Sequence, residues 1–192
     1  MNRGYSSFRP EILPRTRRGA WLLAAAAAGV LLLSTGCAVK VPAQIQPITQ
    51  FDVKKYAGTW HELARIDHSF ERGLVNTSAN YTLNQDGTVK VVNRGFNPEK
   101  KTWKEAEGKA QFLGDPSVAA LKVSFFGPFY GGYNVVALDK DYQTALVIGN
   151  KLDYFWLLSR SKQLPEEQVN RLLQQAQGMG VDLRQVIRVA QD

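Results

Sequence analysis

Between Gly58 and Arg160 apolar and polar side chains alternate with a period of two, broken at intervals by short polar clusters. The pattern predicts strands at 59–68, 75–84, 88–96, 103–113, 118–126, 132–139, 143–150 and 153–160. The breaks contain Gln85-Asp86-Gly87, Asn97-Pro98-Glu99, Gly114-Asp115-Pro116, Gly127-Pro128, Asp139-Lys140-Asp141 and Lys151-Leu152-Asp153. These are the residue types that tight antiparallel connections need. No run of helical length separates the strands, which argues against parallel βαβ units and for an all-β class. Eight hairpin-linked strands lose their exposed edges by closing into an antiparallel up-and-down barrel, although a two-sheet sandwich fits the same periodicity. One segment of period 3.6 follows. Pro165 fits its first helical position, Glu166 and Glu167 complement the positive end of its dipole, and Val169, Leu172, Leu173 and Ala176 form one apolar stripe. Gly178 or Gly180 can end this C-terminal α-helix, which is expected to pack outside the barrel, with a short final strand at 186–189.

The N-terminal pattern is different. Residues 19–35 are almost wholly apolar and follow the basic run Arg15-Thr16-Arg17-Arg18, the order of a secretory signal peptide. A single membrane-spanning helix needs about 17–25 apolar residues, so length alone leaves that reading open. Charge locates the basic character here. Of the net charge of +7, +4 falls before Gly19, from five arginines against Glu11, leaving +3 for the rest of the 192 residues. That remainder has no basic stripe, which argues against a nucleic-acid partner. One cysteine excludes a disulfide framework, and two histidines leave little for a metal centre, so no metal and no cofactor is expected.

That cysteine carries a motif. Leu33-Ser34-Thr35-Gly36-Cys37 resembles the lipobox of bacterial lipoproteins, departing from the usual pattern at Ser34. The resemblance implies removal of residues 1–36 as a signal peptide and attachment of diacylglycerol and palmitate to Cys37. Ala38, in place of the aspartate that retains lipoproteins at the inner membrane, implies lipid anchorage in the outer membrane on its periplasmic face. Residues 37–50, with Pro42 and Pro47, read as the lipidated cysteine and an extended tether of about 40 Å.

A second resemblance covers the chain from 51 to 192. Residues 52–60 (DVKKYAGTW) with His61-Glu62-Leu63-Ala64-Arg65 resemble the first signature of the lipocalins, Gly-x-Trp entering the first strand. Asp141-Tyr142 occupies the place of the second signature and Leu158-Ser159-Arg160 that of the third. The stretches VVNRGFNPEKKTWKEAEGKA and KVSFFGPFYGGYNVVALDKDY resemble the bacterial outer-membrane members of that family. The implied fold is an eight-stranded calyx. The implied function is non-enzymatic binding, storage or transport of lipids such as fatty acids or lysophospholipids, for membrane maintenance.

Hairpin counting places the residues. Trp60, Tyr142 and Arg160 fall at one end of an up-and-down barrel, and the resemblance implies that with Gly58 they close its floor, Arg160 stacked on Trp60. Such a cation–π contact contributes about 0.5–2 kcal/mol. Loops near Phe70, 96–103, 127–132 and 151–153 crowd the open end. There Phe125, Phe126, Phe129 and Tyr130 suit an acyl chain, a membrane surface or a second copy of the chain, hence a homodimer through the open-end loops. Strand parity puts Ala79 and Tyr81, Val91 and Asn93, Val123 and Phe125, and Tyr154, Trp156 and Leu158 on the inner wall as ligand-lining candidates. Ala106, Gly108 and Ala110 leave room opposite them, and Asn93, Lys100 or Lys101 can meet a headgroup.

Catalytic patterns are weak. No nucleophile elbow or phosphate loop occurs; Glu105 and Glu107 read as solvated charges; His61 and His68 fall on opposite faces if alternation is unbroken. Glu62 shares the parity of Trp60 and reads as a buried polar group low in the barrel. Two rivals stay open: a lipid-modifying enzyme on the same barrel, and a structural envelope lipoprotein whose barrel is filled.

Overall fold

The strands close on themselves. In the computed structural model, which describes Met1 and residues 39–192, β1 (Gly58–Ile66), β2 (Val75–Leu83), β3 (Val89–Asn97), β4 (Thr102–Phe112), β5 (Ala120–Phe126), β6 (Phe129–Leu138), β7 (Thr144–Ile148) and β8 (Phe155–Ser159) pair antiparallel in chain order. β1 also pairs β8, with His61 opposite Ser159 and Arg65 opposite Trp156, so the ring is an up-and-down barrel and not a sandwich. The signal segment, its lipobox and Cys37 lie outside the described residues.

Two cores share the barrel wall. Inward side chains including Trp60, Tyr81, Val91, Leu121, Val135 and Leu158 pack together inside. Outward side chains of β1, β6, β7 and β8, among them Ala64, Leu146 and Leu157, pack under a helix, α2 (Glu166–Gly178). This explains why all five residues of β7 are buried: both of its faces are covered, and its sequence is an unbroken apolar run, Thr144 aside. Val169 and Ala176 of the expected stripe are buried and Leu172 and Leu173 half-buried, while Pro165 stands one residue before the helix as its cap.

Three departures from the sequence pattern shape the ends. First, a four-residue helix, α1 (Val53–Tyr56), is capped by Asp52, whose Oδ1 accepts from the amides of Lys54 and Lys55. Four residues are too few to show a 3.6 period. Second, the segment read as a free tether is folded against the domain: Ile45 is buried beneath the outer core, and Val41 packs on it. Ile48 donates its amide to Val135 O at 2.9 Å, and Phe51 donates to Ser117 O at 2.9 Å. The spacing of Ile45, Ile48 and Phe51 supplies apolar anchors that the two prolines had masked. Third, β6 begins at Phe129, so Phe126 and Phe129 pair across the two-residue turn Gly127-Pro128 and the hairpin reaches farther than the expected 127–132 loop.

The chain's end fills a gap. β1 and β2 pair only from Gly58 to His61. Above that, β9 (Val186–Arg188) pairs with Ala64–Ile66 residues of β1, and the following segment bridges to β2. Asn76 donates its amide to Ala190 O at 2.8 Å, and buried Gln191 donates to Glu62 O and Thr77 O, both at 2.8 Å.

Candidate functional site

One end of the barrel is sealed by carbonyl groups that a short helix leaves without partners. The last turn of α1 cannot satisfy its own carbonyls. Arg160 takes them: Nη2 donates to Lys55 O at 2.9 Å, Tyr56 O at 3.1 Å and the capping Ala57 O at 2.9 Å, while Nη1 donates to Thr59 O of β1 at 2.8 Å and Nε to Tyr142 O of the β6–β7 turn at 3.3 Å. The same guanidinium lies 4.0 Å from the centre of the fully buried Trp60 indole, whose Nε1 donates to Tyr56 O at 2.8 Å. Tyr142 OH accepts the amide of Asp52 at 3.0 Å, which ties the β6–β7 turn to α1. Gly58 has φ +95°, and a Cβ there would stand 3.3 Å from Arg160 Nη1, so only glycine enters the strand this close to the guanidinium.

Above Trp60 the interior is aromatic, then aliphatic. The hydroxyls of Tyr56 and Tyr81 each meet that of Tyr133, at 2.7 and 2.8 Å. Burial pushes all three phenols above their ordinary value, so they remain neutral and act as a hydrogen-bonded plug on the floor. Over this plug Ala79, Val91, Val123, Phe125, Trp156 and Leu158 join one inner cluster with Tyr81. Ala79, Val123, Phe125 and Trp156 stay half-buried although they belong to it. A Cβ at Gly108 would stand 2.8 Å from the Phe125 ring, so the absent side chain at 108 makes the space Phe125 occupies.

The upper interior holds charge that strand parity did not place there. Pairing between β1 and β8 shifts register between Glu62 and Ala64. The bulge sets Ala64 beside Leu63 in the outer core and brings Arg65, 1% exposed, in line with Trp156. Arg65 donates from Nη1 to Glu62 Oε1 at 2.9 Å, from Nε to Asp67 Oδ1 at 3.0 Å, and from Nη2 to Glu71 O at 2.9 Å. Glu71, in the β1–β2 loop, accepts from Trp156 Nε1 at 3.1 Å, and its carboxylate stands 3.9 Å from Arg65 Nε. Burial, then the charge of Glu62, pushes the Glu71 carboxyl up to about 8, and burial raises Glu62 as well, against the pull of Arg65. Near neutral pH the cluster therefore holds a proton and can both donate and accept. Glu62 is buried and inward as parity anticipated, but it belongs to this upper cluster and does not sit low in the barrel; Arg65 and Glu71 were missed because one inserted residue inverts the alternation and because loop residues carry no periodicity.

At the open end the remaining candidates separate. Tyr154 leaves the inner cluster and stacks on His68 at 4.0 Å, while His68 Nε2 meets Asp153 O at 2.8 Å, joining the first and last open-end loops. Asn93, Lys100 and Lys101 are exposed. Glu107, exposed, pairs with Lys90 at 2.8 Å, as a surface carboxylate does.

Residues 51–191 match the family model described as a lipocalin-like domain. The chain is 48% identical over 167 residues to the outer membrane lipoprotein Blc of Citrobacter freundii, covering 86% of this chain and 94% of that one. It is 43% identical over 161 residues to the Vibrio cholerae protein of the same name, covering 83% and 94%. Among solved structures, insecticyanin from the tobacco hornworm Manduca sexta superposes with a TM-score of 0.63 at 21% identity, over 80% of this chain and 87% of that one.

Proposed function

The chain belongs to the lipocalin family, and from that premise we propose that it is a non-enzymatic carrier of single-chain lipids, fatty acids or lysophospholipids, held for upkeep of the outer membrane. The observation that carries this reading is the inner wall: an apolar ladder from Tyr81 to Phe125, half-buried along much of its length, capped by the polar Glu62–Arg65–Glu71 cluster. An acyl chain laid along Ala79, Val91, Val123, Trp156 and Leu158 gains about 0.8 kcal/mol per buried methylene. Its headgroup meets the proton-bearing cluster beside Trp156, with Asn93 and Tyr154 at the rim. The floor of Gly58, Trp60, Tyr142 and Arg160 is structural and does not touch ligand.

Relatives named outer membrane lipoproteins support the matching address here: signal peptide 1–36 removed, Cys37 carrying the lipid, the domain from 51 facing the periplasm. Because Val41 and Ile45 already pack on the barrel, the tether that remains is short.

Titration with a fluorescent fatty acid tests the reading. Saturable uptake by the wild type, reduced about tenfold or more by Trp156→Arg and retained by Arg160→Ala, is the expected result. No saturable uptake by the wild type favours a filled, structural barrel. Turnover of a lysophospholipid that disappears in Glu71→Gln replaces the carrier with an enzyme.

A further inference from the structure

The polar cluster of the upper interior has acceptors to spare. Gln191, 9% exposed, reaches between β1 and β2, where its Nε2 donates to Glu62 O and Thr77 O at 2.8 Å each. Carbonyl oxygens only accept, so these two contacts fix which end of the amide is the nitrogen and turn Oε1 away from them. Oε1 is buried and has no hydrogen-bond partner. Thr77, 5% exposed, sets Oγ1 toward the Glu62 carboxylate without closing a hydrogen bond, so this atom too is buried and unpartnered. A buried polar atom left bare costs about 1–3 kcal/mol. Two of them on either side of one strand gap, next to a carboxylate, mark a corner shaped to receive a donor.

The donors of the cluster are already committed. A guanidinium has five N–H groups, and four of those on Arg65 go to Asp67, Glu62, Glu71 O and Leu74 O. Trp156 Nε1 goes to Glu71 Oε1, and Arg72 meets Asp67 from the exposed side. A carboxylate entering here would face the carboxyl groups of Glu62, Asp67 and Glu71 with one guanidinium N–H and one carboxyl proton to welcome it. An ammonium meets the opposite balance. Its three N–H donors match Gln191 Oε1, Thr77 Oγ1 and the Glu62 carboxylate, and its charge strengthens each bond.

We propose that this corner is an ammonium site, and that among single-chain amphiphiles the barrel prefers those whose head carries a protonated amine over free fatty acids. The site rests on the carrier reading above, since the tail must lie along the inner wall for the head to reach Glu62. It makes Gln191, in the segment that closes the β1–β2 gap, a specificity-determining residue. Long-range charge works against the preference: of the net +7, +4 lies before Gly19, and the remaining +3 attracts anions.

Competition among three ligands that share one tail tests it. The full chain is loaded with N-phenyl-1-naphthylamine, an uncharged fluorophore, and titrated at neutral pH with hexadecylamine, hexadecanol or hexadecanoate below their micellar concentrations. Hexadecylamine should displace the fluorophore at concentrations about tenfold or more below the other two. The amine-to-alcohol ratio should fall about fivefold in Thr77→Val, which keeps the shape of the side chain, and in Gln191→Met, with circular dichroism checking that each variant is folded. The ligand order in the wild type does not depend on the fold of any variant. Displacement by none of the three overturns the carrier reading and the ammonium site together. Hexadecanoate or hexadecanol as effective as hexadecylamine overturns the site and leaves the carrier reading standing. An amine preference that survives in both folded variants puts the ammonium elsewhere and overturns the site as well.

Discussion

At Arg160 one guanidinium does two jobs: it covers the Trp60 indole and satisfies carbonyls that α1 cannot. Hydrogen bonds to a charged group contribute about 1.5–3 kcal/mol, so Arg160→Ala should lower stability by about 2–4 kcal/mol, read in a urea titration, with fatty-acid uptake retained. Arg160→Lys should recover only part of that loss, since an ammonium cannot reach several carbonyls in one plane. Glu71 sets a pH dependence. Its carboxyl sits at about 8 against an ordinary 4.5, so the folded chain holds the proton more tightly than the unfolded one. The resulting stability is intact below about pH 4.5 and lost as pH rises through about 8. Glu71→Gln keeps a neutral partner for Trp156 and should gain melting temperature relative to wild type between pH 5 and 9. A difference that stays flat across that range would show that Glu71 is ionised throughout.

At the scale of elements, the hairpins were readable because each turn carries its own chemistry; Gln85-Asp86-Gly87 is one example, with Gly87 at φ +79°. The inner wall followed from parity along β2, β3 and β5, where Tyr81, Val91 and Val123 face one cluster. Parity failed on β1, where the bulge after Glu62 sent Arg65 inward, and it had nothing to say about Glu71. α1 escaped because four residues cannot form a period, and the docking of Ile45 escaped because its partners lie far away in the sequence, on β6 to β8 and α2. The C-terminal wedge yields a further prediction. Deleting 186–192 removes the acceptor of the Asn76 amide and the bridge made by Gln191. Hydrogen exchange at Asn76 should then accelerate at least as strongly as that of any other β2 amide, while Thr82, paired with Lys90, changes little. Uniform acceleration along β2 would mean that the segment supports the whole sheet.

For the molecule as a whole, the arrangement is polarised. Its closed end is held by Arg160 and the tyrosine plug; its middle is apolar; its upper interior holds a buried charged cluster; its rim is aromatic and basic. That order suits an amphiphile entering tail first. The central claim is that the barrel carries such a molecule. Mass spectrometry of lipid co-extracted with the purified full chain tests it most directly. The prediction is one single-chain amphiphile per chain, lost from Trp156→Arg and kept by Arg160→Ala. Protein that copurifies with no amphiphile, or that keeps the same lipid after Trp156→Arg, would contradict it.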